Sequence, residues 1–120
     1  MHIHGMSYRA INRLLSLELE HGRVHLSEKA IQHMRERHPN DLTQCMASLD
    51  VIITAPDFAG QSPLHPDNFV LVKHVGDVEI MVALSTTSDE YGDYPVESSY
   101  IIDHNTFRRR VRKGYYKPIK

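Results

Sequence analysis

The chain has 120 residues, 41% of them hydrophobic and 24% charged, with a formal net charge of −1, a balance that reads as one globular domain over residues 1–120 with a real core. Its only cysteine, Cys45, excludes an intramolecular disulfide and a cysteine-built zinc site. No apolar run nears the roughly 18 residues that span a membrane and the N-terminus lacks a signal-peptide core, so work in the cytoplasm, away from any membrane, is expected.

In chain order, the stretch holding His2 and His4 is expected to be mobile. Residues 8 to 20 place Ile11, Leu14, Leu15 and Leu19 at helical spacing, and His21-Gly22 closes this helix, making 1–22 an N-terminal helical segment. "VHL" at 24–26 is a short extended link. Ser27 then caps a second helix, with Glu28 at its positive end and Leu26 and Ile31 spaced as a hydrophobic staple. Pro39 disfavours helical geometry at His38, so the helix stops there. A third helix starts at Asn40 or Asp41 and carries Leu42, Cys45, Met46, Leu49, Ile52 and Ile53 as one stripe. Residues 56 to 68, with Pro56, Gly60, Pro63 and Pro66, read as a long loop.

The period then changes from helical to alternating. "NFVLVKHV" and "VEIMVALS" flank "GD", a two-residue hairpin signal. Pairing Val75 with Val78 sets Lys73 opposite Ile80 and His74 opposite Glu79. The loop "TTSDEYGDYP" leads to a third strand, "VESSYII". Asp103 or Asn105 caps a last helix near 104–113, and "YYKPI" is a candidate fourth strand. The predicted class is α+β: N-terminal helices packed on an antiparallel meander of three to four strands, with a further helix near the C-terminus.

Nine histidines supply a side chain suited to proton transfer near neutral pH. Two of them stand in "IQHMRERHP", residues 31–39. On an ideal helix His33 and His38 diverge by about 140°, and their spacing misses H-x-x-E-H by one residue, so no metal site is expected from them. His38 shares the arc of Ala30, Ile31 and Met34 and reads as a core or helix-capping histidine. His33 lies on the flank beside Arg37, where it either faces a cleft or is simply solvated. Lys73 interrupts an apolar strand face and must snorkel, pair or serve a site. Ser98, Ser99 and Tyr100 mark either a solvated face or a wet functional end of the sheet.

Charge is unevenly placed. Arg108, Arg109, Arg110, Arg112, Lys113, Lys117 and Lys120 put seven of fourteen Lys and Arg residues into the last seventeen positions, with Tyr115 and Tyr116 among them. This is either a solvated helix or a phosphate-binding patch with aromatics for stacking. There is no G-x-S-x-G and no phosphate-cradling glycine loop. RNA cleavage by its own 2′-hydroxyl needs a base, an acid and cationic help for the phosphorane, and no metal or cofactor. Histidine, lysine, arginine, serine and tyrosine suit those roles.

The runs "VHLSEKAIQHMRERHP", "LDVIITAPDF", "NFVLVKHVGDVEIMVAL" and "SSYII" resemble the phage-type members of the barnase–EndoU–colicin–RelE superfamily of nucleases, over roughly residues 24 to 118. The resemblance implies an α+β fold and a metal-independent ribonuclease of toxin or prophage type. It places the motif histidines at His33 and His38, its "P-D" at Pro56 and Asp57, and its strand-end hydroxyl at Ser98 or Ser99 with Tyr100. Serine stands where that pattern has threonine, and Met34 where it has isoleucine.

The expected function is therefore endoribonuclease, without cofactor, acting on RNA and held by an antitoxin or immunity protein. The candidate catalytic residues are His33, His38, Lys73, Ser99 and Tyr100, with placement favouring His33 over His38. Arg37, Arg108, Arg109, Arg110, Arg112 and Lys113 are the candidate RNA-binding residues. The alternative is a non-catalytic RNA- or protein-binding module of the same fold.

Overall fold

The computed structural model describes residues 1–119; Lys120, counted in the basic run above, lies outside the described residues. The elements are β1 (His2–Ile3), α1 (Tyr8–Leu15), β2 (Val24–His25), α2 (Glu28–Arg37), α3 (Leu42–Thr54), β3 (Phe58–Gly60), β4 (Asn68–Val75), β5 (Val78–Ser85), β6 (Tyr94–Ile102), α4 (His104–Arg112) and β7 (Tyr116–Pro118). The fold is α+β, as expected, but among the described residues the sheet has seven strands rather than three or four, in the order β1-β2-β6-β5-β4-β3-β7. No described helix is long and apolar enough to cross a membrane.

The long elements form for the reasons their sequences show. Ser27 Oγ accepts the Ala30 N–H at 3.0 Å at the start of α2, satisfying an otherwise unpaired first-turn donor. The helix ends at its C-cap, His38, just before Pro39. The β4–β5 hairpin turns on Gly76 at φ 60, and its register pairs Val75 with Val78, Lys73 with Ile80 and His74 with Glu79.

Several readings are corrected. The first helix ends at Leu15, not residue 20, because Ser16 turns into left-handed backbone at φ 55. The Asn12 amide then folds the chain back, donating to the Leu19 carbonyl at 2.9 Å and accepting the Leu19 N–H at 2.8 Å. The additional strands β1, β2 and β3 are too short to display a period of two and exist through distant partners. His2 pairs with His25, Val24 with Tyr94 and Ala59 with Leu71. His2 is thus a strand residue, and β3 lies inside the expected loop.

The sheet has two covered faces. Against one, α1, α2 and α3 bury Ile11, Met34, Leu49, Ile52 and Ile53 over Phe69, Leu71, Ile80, Val82 and Leu84. Against the other, Phe107 and Val111 of α4 pack with Tyr116 over Val72, Met81, Ala83 and Ile102. On β6 a bulge leaves Glu97 without a partner, since Ala83 pairs with Ser98 and Leu84 with Val96. The nine-residue α4 covers only part of its face, and the rest is open.

Candidate active site

The open part of that face is a cleft of about 530 Å³. Its floor is Val70, Met81, Ala83, Ser98 and Tyr100, its wall is Arg109, Arg110, Lys113 and Tyr116, and His65 comes from the β3–β4 loop.

Arg110 Nη1 donates to Tyr116 Oη at 2.6 Å, and its guanidinium carbon lies 5.6 Å from that ring's centroid. Burial works against the Arg110 charge, but the hydroxyls of Tyr116 and Tyr100 more than offset it and hold its pKa above the ordinary value. Burial also pushes the Tyr116 phenol up, against the opposing pull of Arg110. This corner of the cleft therefore carries a fixed cation and a neutral phenol.

His38 is not among the residues lining the cleft but packs against one of them, Tyr100. Their rings stack at 4.4 Å between centroids with 23° between planes. The local chain explains the contact. The His38 amide donates to Met34 O at 2.8 Å, finishing α2, and Pro39 forces the chain to turn. Asp41 Oδ2 accepts the Ile101 N–H at 3.1 Å, tying that turn to β6. An imidazole, a phenol and a guanidinium are thus joined in a row of contacts through Tyr100. Such a row can move a proton, donate hydrogen bonds to phosphate oxygens and stabilise developing negative charge.

The phage-Barnase-EndoU-ColicinE5/D-RelE like nuclease3 family model matches residues 2–109. The chain belongs to this nuclease family. No curated protein and no solved structure matches it significantly.

The nuclease-family match takes in β1 and α1 as well as the region from residue 24 on which the resemblance rested. Of the candidate residues, His38 and Tyr100 meet each other, and Arg109, Arg110 and Lys113 line the same cleft. Arg108 and Arg112 are exposed elsewhere on α4, and His33 and Arg37 are exposed on α2. Lys73 faces the helical layer, where Nζ donates to Ala55 O at 2.7 Å beyond the end of α3 and lies 3.6 Å from Asp57 Oδ1. Ser99 is buried on that side too, with Oγ donating to Met81 O at 2.8 Å. Asp57 Oδ2 accepts the His74 N–H at 2.9 Å and serves the β3–β4 pairing.

His33, which placement favoured over His38, is exposed on α2, while His38 packs against Tyr100. His38 has φ −139, so it has left the helix, and the ideal wheel that turned it toward the core no longer applies to it. His65 was not singled out from sequence, and Tyr116 was read there as a stacking aromatic and not as the partner of Arg110. The return of β7 past Gly114 at φ 78 brings Tyr116 onto Arg110, and only the "RKGYY" order hints at it.

Proposed function

We propose that this nuclease-family chain is a metal-independent endoribonuclease of the phage-borne or toxin type, cleaving RNA in the α4-side cleft. The single observation that carries this reading is the His38–Tyr100–Arg110 row beside the basic wall. In it, His38 takes the proton from the 2′-hydroxyl as that oxygen attacks phosphorus; the P–O5′ bond then breaks, the imidazolium proton passes through water to the leaving 5′-oxygen, and a 2′,3′-cyclic phosphate remains. Tyr100 and Arg110 bind the equatorial oxygens of the phosphorane, where negative charge accumulates. Arg109 and Lys113 hold flanking phosphates as point charges, and His65 and Tyr115 at the cleft wall are available for base stacking. A partner antitoxin or immunity protein would act by covering this cleft.

The test is incubation with single-stranded RNA in the presence of a chelator, reading 2′,3′-cyclic phosphate ends. His38→Ala is expected to lower cleavage by about 10²–10⁴, the usual worth of a positioned proton-transfer group. Arg110→Met is expected to fall comparably, while His33→Ala stays at the unaltered rate. Loss of activity in His33→Ala with full activity in His38→Ala would refute the assignment. RNA binding with no cleavage by the unaltered chain would return it to the class of binding modules.

A further inference from the structure

Two strands and the residue just ahead of a third each bring one ligand-type side chain to a single point at the β1 end of the sheet. His2 on β1 and His25 on β2 are register partners, and their rings stack at 4.6 Å with 18° between planes. Asp93 stands directly before β6, whose Tyr94 pairs with Val24. His2 Nε2 lies 3.2 Å from Asp93 Oδ2. One ligand atom from each of the three falls within 4.8 Å of the other two.

Two neutral imidazoles and a carboxylate form a donor set suited to zinc and other imidazole-preferring first-row ions. Ligand atoms about 2.0 Å from a tetrahedral ion stand about 3.3 Å apart, and His2 and Asp93 already have that spacing. His25 is partly exposed, so its ring can turn to complete the set. The Asp93 side chain is only 4% exposed, and a buried carboxylate calls for cationic partners.

Arg23 grips the same carboxylate from its other side, with Nε 3.0 Å from Oδ1 and Nη2 3.1 Å from Oδ2. A carboxylate has about four acceptor sites, so this bidentate contact leaves room for a further ligand bond. It also fixes the carboxylate's orientation, as outer partners of metal ligands do. Arg23 keeps 42% of its side chain in solvent, where water screens its repulsion toward an incoming ion.

We infer that His2, His25 and Asp93 form a zinc-type transition-metal site, with a fourth position for water, that fastens β1 and β2 to β6. The seam it closes is weak without help, since β1 joins β2, and β2 joins β6, through two residue pairs each. Asp93 precedes Ser98 by about 15 Å of strand, so the ion sits apart from the cleft and supports the fold instead of the reaction.

The experiment uses the full chain without an affinity tag, titrated with Zn²⁺ by calorimetry and separately loaded with Co²⁺ for visible absorption. The expected result is one ion per chain, a tetrahedral-type cobalt spectrum and a higher Tm with zinc. Zinc affinity is expected to drop at least 100-fold in His25→Ala and in Asp93→Asn, and about 10-fold in Arg23→Gln. His33→Ala is expected to bind as the unaltered chain does. Absence of stoichiometric uptake by the unaltered chain overturns the site, as does uptake undiminished in both ligand variants. Should the ligand variants unfold, the cobalt spectrum of the unaltered chain decides: tetrahedral bands support the site, and the octahedral spectrum of the hydrated ion overturns it. Cleavage of RNA is read in none of these arms, so the nuclease reading and the metal site stand or fall separately.

Discussion

Tyr100 is the residue on which the candidate chemistry turns, because its ring meets His38 while its hydroxyl supports Arg110. Replacing it by phenylalanine keeps the stack and removes only the hydroxyl. RNA cleavage by Tyr100→Phe is expected to fall by about 10²-fold, the scale of losing one transition-state donor, with Tm nearly unchanged. An unchanged kcat would remove the hydroxyl from the mechanism. Asp93 gives a prediction in pH. The Arg23 hydrogen bonds, with the charges of Arg23, His2 and His25, lower its carboxyl below 3.8 despite burial. A depressed folded-state pKa means stability that is present above the unfolded value and lost as pH falls through the folded one. Acid unfolding below about pH 4 is therefore expected to be shallower in Arg23→Gln than in the unaltered chain, read as Tm against pH. Parallel curves would show that the pair does not carry this acid dependence. Legibility in sequence was partial at this scale. Tyr100 and the basic run could be picked out by residue type. The contacts of Lys73 and Ser99 could not be read in advance, because nothing local shows that Lys73 reaches Ala55 O or that Ser99 reaches Met81 O.

Elements held by local signals were readable, and elements held by distant partners were not. The Ser27 cap, the stop at Pro39, the stripe of α3 and the "GD" turn each lie within a few residues of what they determine. Ser27→Ala is accordingly expected to lower stability by about 1 kcal/mol, measured by chemical denaturation. β3 offers no such signal, since its three residues are ordered by β4 on one edge and β7 on the other. Gly60 shows how closely β7 approaches. A Cβ there would lie 2.3 Å from the Tyr115 carbonyl oxygen and 2.4 Å from Tyr116 Cδ1, and the first of these is backbone that cannot swing aside. Gly60→Ala is expected to destabilise the chain by about 1–3 kcal/mol. It should also lower cleavage, because displacing β7 takes Tyr116 from Arg110. Full activity in this variant would show that Arg110 does not need its phenol partner.

Across the whole molecule, a net charge of −1 conceals a division between an acidic remainder and a basic end. The basic side chains that line the cleft, Arg109, Arg110 and Lys113, all come from that end. RNA affinity is therefore expected to fall linearly with salt on logarithmic axes, and Arg109→Gln to reduce the slope by about 1. A slope equal to that of the unaltered chain would exclude Arg109 from phosphate contact. Glu97, the bulge residue of β6, marks where the facing of that strand changes parity. Ahead of it Tyr94 and Val96 face α1–α3, and beyond it Ile101 does, while Tyr100 and Ile102 face α4. Even-numbered positions change sides because one residue is passed over in the pairing. Deleting Glu97 would make Val96 and Ser98 direct neighbours, still opposite Leu84 and Ala83, so the bulge would close while Ser99 stays in the apolar layer and Tyr100 on the α4 face. The strand thus tolerates a change in its residue count at this one place, so a chain lacking Glu97 should still cleave RNA, and loss of cleavage there would show that the bend of the bulge aims Tyr100.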